Sequence, residues 1–169
     1  MKINPLNKNI FSNKIDDTFN IFYIFGNNLG LIDICYSKLK KNLEVDLDNP
    51  FVTNYFDENK LLTNTEAFFD ELNSISVFGA KKTIIVDIRQ GDKKNDVTKI
   101  FTEFNFSEIK EIQLIIISYL FKQSDILSNI LKSTVPFIML SSLLPLFERA
   151  LLVLNDKFVS TINLAKLLS

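Results

Sequence analysis

The chain has 169 residues, of which 47% are hydrophobic and 23% charged, and its formal net charge is −1. This length and composition suit one globular domain with at most a short appendage, and they exclude a disordered chain. A net charge near zero excludes the overall positive field of many DNA-binding domains. The absence of histidine excludes a histidine base or a histidine metal site, so we expect no metal and no cofactor.

The first predicted elements surround a glycine turn. An apolar strand over residues 21–25 is followed by the turn Gly26, Asn27, Asn28, Leu29 and Gly30. A helix then begins, which aims its first N–H groups at an anion. A working phosphate loop continues with Lys and Ser or Thr, which bind phosphate and magnesium. Here Leu31, Ile32 and Asp33 follow instead. We therefore expect a turn with the shape of a phosphate loop that does not bind ATP.

Alternating strands and helices continue along the chain. Aromatic, β-branched and continuous apolar runs predict further strands over residues 51–56, 82–86, 112–117 and 134–139. Apolar residues at three- and four-residue spacing predict helices over residues 65–79, 97–104 and 124–131. Five strands alternating with four helices predict a doubly wound α/β fold with a mostly parallel sheet.

The pattern changes after residue 139. Residues 140–169 predict helix only, with apolar positions at Leu143, Phe147, Ala150 and Leu154 and a second run at Phe158, Ile162 and Ala165. The sequence therefore predicts an α/β domain over residues 1–139 and a helical tail over residues 140–169. A tail with this many apolar residues must pack against another protein surface.

Two features of the predicted domain each have two interpretations. Asp87 follows an apolar strand, as the magnesium-holding acid of ATPases does. No phosphate-loop lysine accompanies it, which favours a solvated charge at the end of the strand. Val77 and Phe78 precede Gly79, where the chain passes from a helix to a strand. They either fold inward or protrude and dock into a groove on another protein.

Several segments, in this order, resemble the delta subunit of bacterial DNA polymerase III, the clamp-opening subunit of the clamp loader. They are Met1–Pro5, Phe22–Ile32, Asp48–Phe51, Phe69–Glu71, Ser76–Lys82, Phe121–Leu127 and Val135–Phe137. The resemblance covers roughly residues 1–139 and rests on the order and spacing of the segments. It implies a degenerate AAA+ domain, similar to phosphate-loop domains but without a functional loop. Residues 140–169 would then supply at most a fragment of the helical lid domain of this family.

The resemblance also implies a function. Val77 and Phe78 occupy the position of the apolar pair that enters the hydrophobic pocket of the ring-shaped sliding clamp, although Val77 replaces the usual Leu. The chain would be a non-catalytic subunit in DNA replication that binds and opens the clamp. Its partner would be the clamp and, in full-length members of the family, the other loader subunits, with DNA contacted only indirectly or weakly. We expect a cytoplasmic location, since no apolar run is long enough to span a membrane.

A different class of function remains open. The turn from Gly26 to Gly30 also suits a small α/β enzyme that binds a nucleotide or a phosphorylated metabolite. Affinity for a nucleotide favours the enzyme, whereas binding to the sliding clamp favours the loader subunit.

Overall fold

A computed structural model describes residues 20–74, 81–89, 94–106, 109, 111–119, 137–141 and 160–163. Its strands are β1 (Ile21–Gly26), β2 (Thr53–Asp57), β3 (Lys82–Ile88), β4 (Ile112–Tyr119), β5 (Phe137–Ser141) and β6 (Ser160–Asn163). Its helices are α1 (Leu29–Asn42), α2 (Glu58–Thr63), α3 (Thr65–Asn73) and α4 (Lys94–Glu103). The α/β class predicted from the sequence is therefore confirmed.

All strand pairs of the described sheet are parallel, and the strand order is β2-β3-β4-β1-β5-β6. The sequence predicted five strands, but six are present in the described part of the chain. The additional strand, β6, lies within the segment predicted to be a helical tail. That prediction is wrong for Ser160–Asn163, where Thr161 and Ile162 are β-branched and the backbone pairs with β5.

Helices cover both faces of the sheet. Successive side chains of its central strands point to opposite faces, so each face offers apolar side chains against which helices pack. On one face, α1 packs against alternate strand residues, in a cluster of Phe22, Ile24, Ile32, Cys35, Tyr36, Leu39, Ile85, Ile115 and Ile117. On the other face, α2, α3 and α4 pack against the intervening strand residues. Aromatic rings fill much of this second layer, through Phe56, Phe68, Phe69, Phe101, Phe104 and Phe106.

Local hydrogen bonds fix the helix boundaries. The Asn28 side chain accepts a hydrogen bond from the Leu31 N–H at 3.1 Å and so caps α1. The Asp57 side chain accepts one from the Lys60 N–H at 2.7 Å and caps α2. The helix predicted to run to Gly79 instead ends at Asn73 in the described chain.

A lysine bonds one carbonyl on the outer side of β2, the edge strand of the described sheet. Val52 accepts a hydrogen bond from the β3 residue Thr83, and carbonyls of successive strand residues point in opposite directions, so the Tyr55 carbonyl points away from β3. This carbonyl accepts a hydrogen bond from Lys60 Nζ at 2.8 Å. The same ammonium lies 4.5 Å from the centre of the Phe56 ring. One side chain thus contacts both the backbone and an aromatic face of β2.

Candidate functional site

The turn after β1 has the strand–turn–helix form that the sequence predicted. Gly26 ends β1, Asn27 and Asn28 form the turn, and Gly30 lies in the first turn of α1. A Cβ added at Gly30 would meet the Asn28 side-chain oxygen at 3.5 Å, an ordinary contact, so the packing here does not require glycine. The Asn28 cap takes the Leu31 N–H, one of the helix-start groups that an anion would bind.

A groove opens at the carboxyl ends of the strands, beside the start of α1. It has a volume of about 420 Å³ and is lined by Leu29, Asp33, Tyr55, Asp57, Asp87 and Arg89. Ligands of α/β domains bind beyond the carboxyl ends of the parallel strands, so its position is the expected one for a site. We call it the carboxyl-end groove.

Asp87 is the most deeply placed charged group of this groove. The sequence favoured a solvated charge here, and that prediction is wrong, because Asp87 is only 8% exposed. Its carboxylate accepts hydrogen bonds from the Tyr55 hydroxyl at 2.9 Å and from Arg89 Nε at 2.8 Å. It also accepts from the Arg89 backbone N–H and from a terminal guanidinium nitrogen of Arg89. Both carboxylate oxygens are thus engaged by groups of the same chain.

The hydrogen bonds of Asp87 control its protonation. Burial acts to raise the pKa of Asp87, but the hydrogen bonds from Arg89 and Tyr55 and the guanidinium charge outweigh it, so the pKa lies below its usual value. Burial and the adjacent carboxylate raise the pKa of Tyr55, so its hydroxyl remains a donor at neutral pH. The pKa of Arg89 is also raised, chiefly by its hydrogen bonds to Asp87.

Arg89 joins the two sides of the carboxyl-end groove. Its guanidinium contacts Asp87 at the end of β3 and forms an ion pair with Asp33 in α1. The Asp33 side chain is 58% exposed, whereas that of Asp87 is 9% exposed, so the guanidinium connects a buried carboxylate to one at the surface. With Asp57, the groove carries three carboxylates and one guanidinium. Its net negative charge opposes the binding of a phosphate group.

A second cluster lies at the start of β3, at the opposite end of this strand from the carboxyl-end groove. Lys82 is 8% exposed, and its Nζ donates hydrogen bonds to the Glu71 carboxylate and, at 2.7 Å, to Ser74 Oγ. Glu71 and Ser74 precede residues 75–80 in the chain and Lys82 follows them, so these contacts tie together the two flanks of that segment. Val77 and Phe78 lie outside the described residues, and their docking role stays a prediction.

Sequence reasoning missed Tyr55 and Arg89. Tyr55 precedes Asp87 by 32 residues, and only the pairing of β2 with β3 brings the two together. Arg89, in contrast, left a local signal. Side chains two residues apart in a strand point to the same face, so an arginine two residues after an aspartate at a strand end can pair with it. The chain has only two arginines, Arg89 and Arg149.

Within the described part of the chain, no three histidine, cysteine, aspartate or glutamate side chains are arranged to hold a metal ion. The described helices include none that is long and apolar enough to cross a membrane. Comparisons of the chain with protein-family models, with curated proteins and with solved structures found no match.

Proposed function

We propose that the chain is a non-catalytic subunit of the bacterial clamp loader, which binds and opens the ring-shaped sliding clamp without using ATP. The observation that carries the proposal is the state of Asp87. In an ATPase this acid would be available to magnesium, but here Arg89 and Tyr55 occupy both carboxylate oxygens. The carboxylate that would hold magnesium in an ATPase is therefore engaged by groups of the same chain.

The fold supports a degenerate AAA+ assignment within this proposal. β1 lies inside the sheet between β4 and β5, so the turn after it reaches the middle of the carboxyl-end edge. This is where a phosphate loop must lie to reach a ligand in the crevice. In this chain Asp33 follows that turn and is paired with Arg89. This position of the turn supports the assignment, and the net negative charge of the groove beside it opposes the binding of a phosphate group.

The proposed clamp contact is the pair Val77 and Phe78. A protruding apolar pair binds tightly only if the segment that carries it is held in place, because ordering a loop on binding costs affinity. The hydrogen bonds of Lys82 with Glu71 and Ser74 provide a fixed base on the two flanks of the segment. In this proposal the partner is the sliding clamp, and the other loader subunits are partners in full-length members of the family. DNA is contacted indirectly or weakly, and the location is cytoplasmic.

The second candidate is a small α/β enzyme that binds a nucleotide or phosphorylated metabolite at the turn from Gly26 to Gly30. The exposed start of α1, a helix of 14 residues, favours it, since helix N-termini bind anions. The carboxylate of Asp33 one turn further along the helix counts against it.

Binding measurements separate the two candidates. The chain would be immobilised and titrated with the sliding clamp of the same organism, and in parallel with Mg-ATP and inorganic phosphate. The loader subunit binds the clamp, loses that binding when Phe78 is replaced by alanine, and shows no saturable nucleotide binding. A chain that binds Mg-ATP with micromolar affinity and ignores the clamp would instead be the enzyme.

A further inference from the structure

The loop between α1 and β2 exposes large apolar side chains. Leu47 is 50% exposed and Phe51 is 70% exposed, and Pro50 beside it is also exposed. Phe51 is the exception among the phenylalanines whose side chains the structure describes, since the others are buried or partly buried. We call residues 44–52 the Phe51 loop. Exposed apolar side chains gathered on one loop mark an interaction surface more often than scattered ones do.

The Phe51 loop is held in one shape by its own hydrogen bonds. The Asn49 side chain accepts from the Phe51 N–H at 3.1 Å, and the Asp46 side chain accepts from the Asp48 N–H at 3.1 Å. The Asn49 carbonyl accepts from the Val52 N–H at 3.2 Å. Such side-chain turns, together with the fixed φ of proline, hold the backbone before any partner arrives. The loop therefore gives up little conformational entropy on binding.

The Phe51 loop ends beside the start of β3, the strand that follows the proposed clamp contact in the chain. The Val52 carbonyl accepts a hydrogen bond from the Thr83 N–H at 2.7 Å, which places the end of the loop against the start of β3. Lys82 follows Phe78 by four residues, so by chain length alone their Cα atoms are at most about 14 Å apart. A partner bound at Phe78 is thus within reach of Phe51.

We propose that Leu47, Pro50 and Phe51 form a second apolar contact for the partner that receives Val77 and Phe78. The charges of the Phe51 loop also indicate the chemistry of the complementary partner surface. Glu44, Asp46 and Asp48 are exposed, and residues 43–53 contain no basic side chain. The matching surface is an apolar depression bordered by lysine or arginine side chains. This inference rests on the proposed function, since it assigns the contact to the sliding clamp.

Clamp binding by alanine variants of the full chain tests the assignment. Phe51→Ala should weaken clamp binding about 10-fold, which corresponds to about 1.4 kcal/mol, and Leu47→Ala should act in the same direction. Phe51→Leu, which keeps an apolar side chain, should retain most of the affinity. Asp48→Asn should weaken binding at low salt and make it less salt-dependent. Asp96→Asn, on the exposed surface of α4, is the matched charge control and should change neither property.

The outcomes separate this inference from the proposed function. If the clamp binds, Phe78→Ala abolishes binding and Phe51→Ala leaves it unchanged, the proposed function stands and the Phe51 contact is refuted. If the unmodified chain does not bind the clamp, the proposed function fails and this inference fails with it. Thermal melting of Phe51→Ala should match that of the unmodified chain, because the side chain is mostly exposed. A large loss of stability would show that Phe51 is a structural residue and would overturn the inference.

Discussion

Replacing Arg89 with methionine removes the guanidinium that pairs with Asp87 while keeping an unbranched side chain in its place. Breaking a buried ion pair by removing one partner costs about 3–5 kcal/mol, because the remaining charge is left without compensation. The Arg89 side chain is 25% exposed, so solvent screens part of this effect. We therefore expect the free energy of unfolding to fall by about 2–4 kcal/mol. In a chain of this size that lowers Tm by about 5–15 °C.

The pH dependence identifies the group responsible. In the unmodified chain the pKa of Asp87 is lowered, so its charged form stabilises the fold above the ordinary aspartate pKa, and this contribution is lost as the pH falls through the lowered value. Replacing Arg89 removes the guanidinium hydrogen bonds and charge that oppose the effect of burial, so the pKa of Asp87 rises. The variant is then penalised at pH 7 and regains stability when the carboxylate takes up a proton. The stability difference between the two chains should shrink between pH 7 and about pH 4.

Urea unfolding at both pH values measures these differences. Asp33→Asn is the control, because it removes the exposed partner of the same guanidinium and should cost less than about 1 kcal/mol. In an Asp87→Asn background, Arg89→Met should cost less than it does alone. A pH-independent loss, or a loss no larger than that of Asp33→Asn, would refute the assignment of Asp87 as the buried charge that Arg89 neutralises.

Three further predictions concern the binding of Mg-ATP, the binding of the sliding clamp and the hydrogen bonds of Lys82. Calorimetry with Mg-ATP at millimolar concentration should show no saturable heat, because Leu31, Ile32 and Asp33 replace the residues that bind phosphate and magnesium; a micromolar dissociation constant would contradict this. Phe78→Ala should cost about 2–4 kcal/mol of clamp-binding free energy, which is roughly 30- to 1000-fold in affinity, and should leave Tm unchanged. A large fall in Tm with intact clamp binding would mean that Phe78 faces inward. Lys82→Met should lower the free energy of unfolding by about 1–3 kcal/mol, since it removes the donor that bonds the Glu71 carboxylate and Ser74 Oγ. Denaturant unfolding measures this loss, and an unchanged unfolding midpoint would contradict the role given to Lys82.

The sequence predicted the elements whose pattern is local. β3 and β4 are continuous apolar runs, and the glycine turn between β1 and α1 is marked by its residue types. It missed α2, whose six residues are too few to show helical periodicity. It also missed β6, because that strand forms by pairing with β5, a contact that no local pattern contains.

The candidate site shows the same division. Asp87 was recognisable as an acid at the end of a buried strand, but its burial was not, because Tyr55, which donates to it, comes from β2 and Asp33, which pairs with Arg89, comes from α1. The three carboxylates of the carboxyl-end groove are far apart in the sequence, so the net charge of the groove is a property of the fold alone. Sequence patterns identified the glycine turn after β1, and the structure added the charged groups that line the groove beside it.

The contact between Lys60 of α2 and the outer strand β2 has a consequence for the behaviour of the protein at high concentration. An uncovered outer strand offers free carbonyls to the strands of other molecules, and such pairing is a common start of aggregation. Lys60 occupies the Tyr55 carbonyl and places a positive charge in the path of any strand that approaches β2. A second molecule would have to displace this ammonium before it could extend the sheet. Lys60 therefore acts as a gatekeeper on the β2 side, and replacing it with an apolar residue should make the protein more prone to form insoluble aggregates.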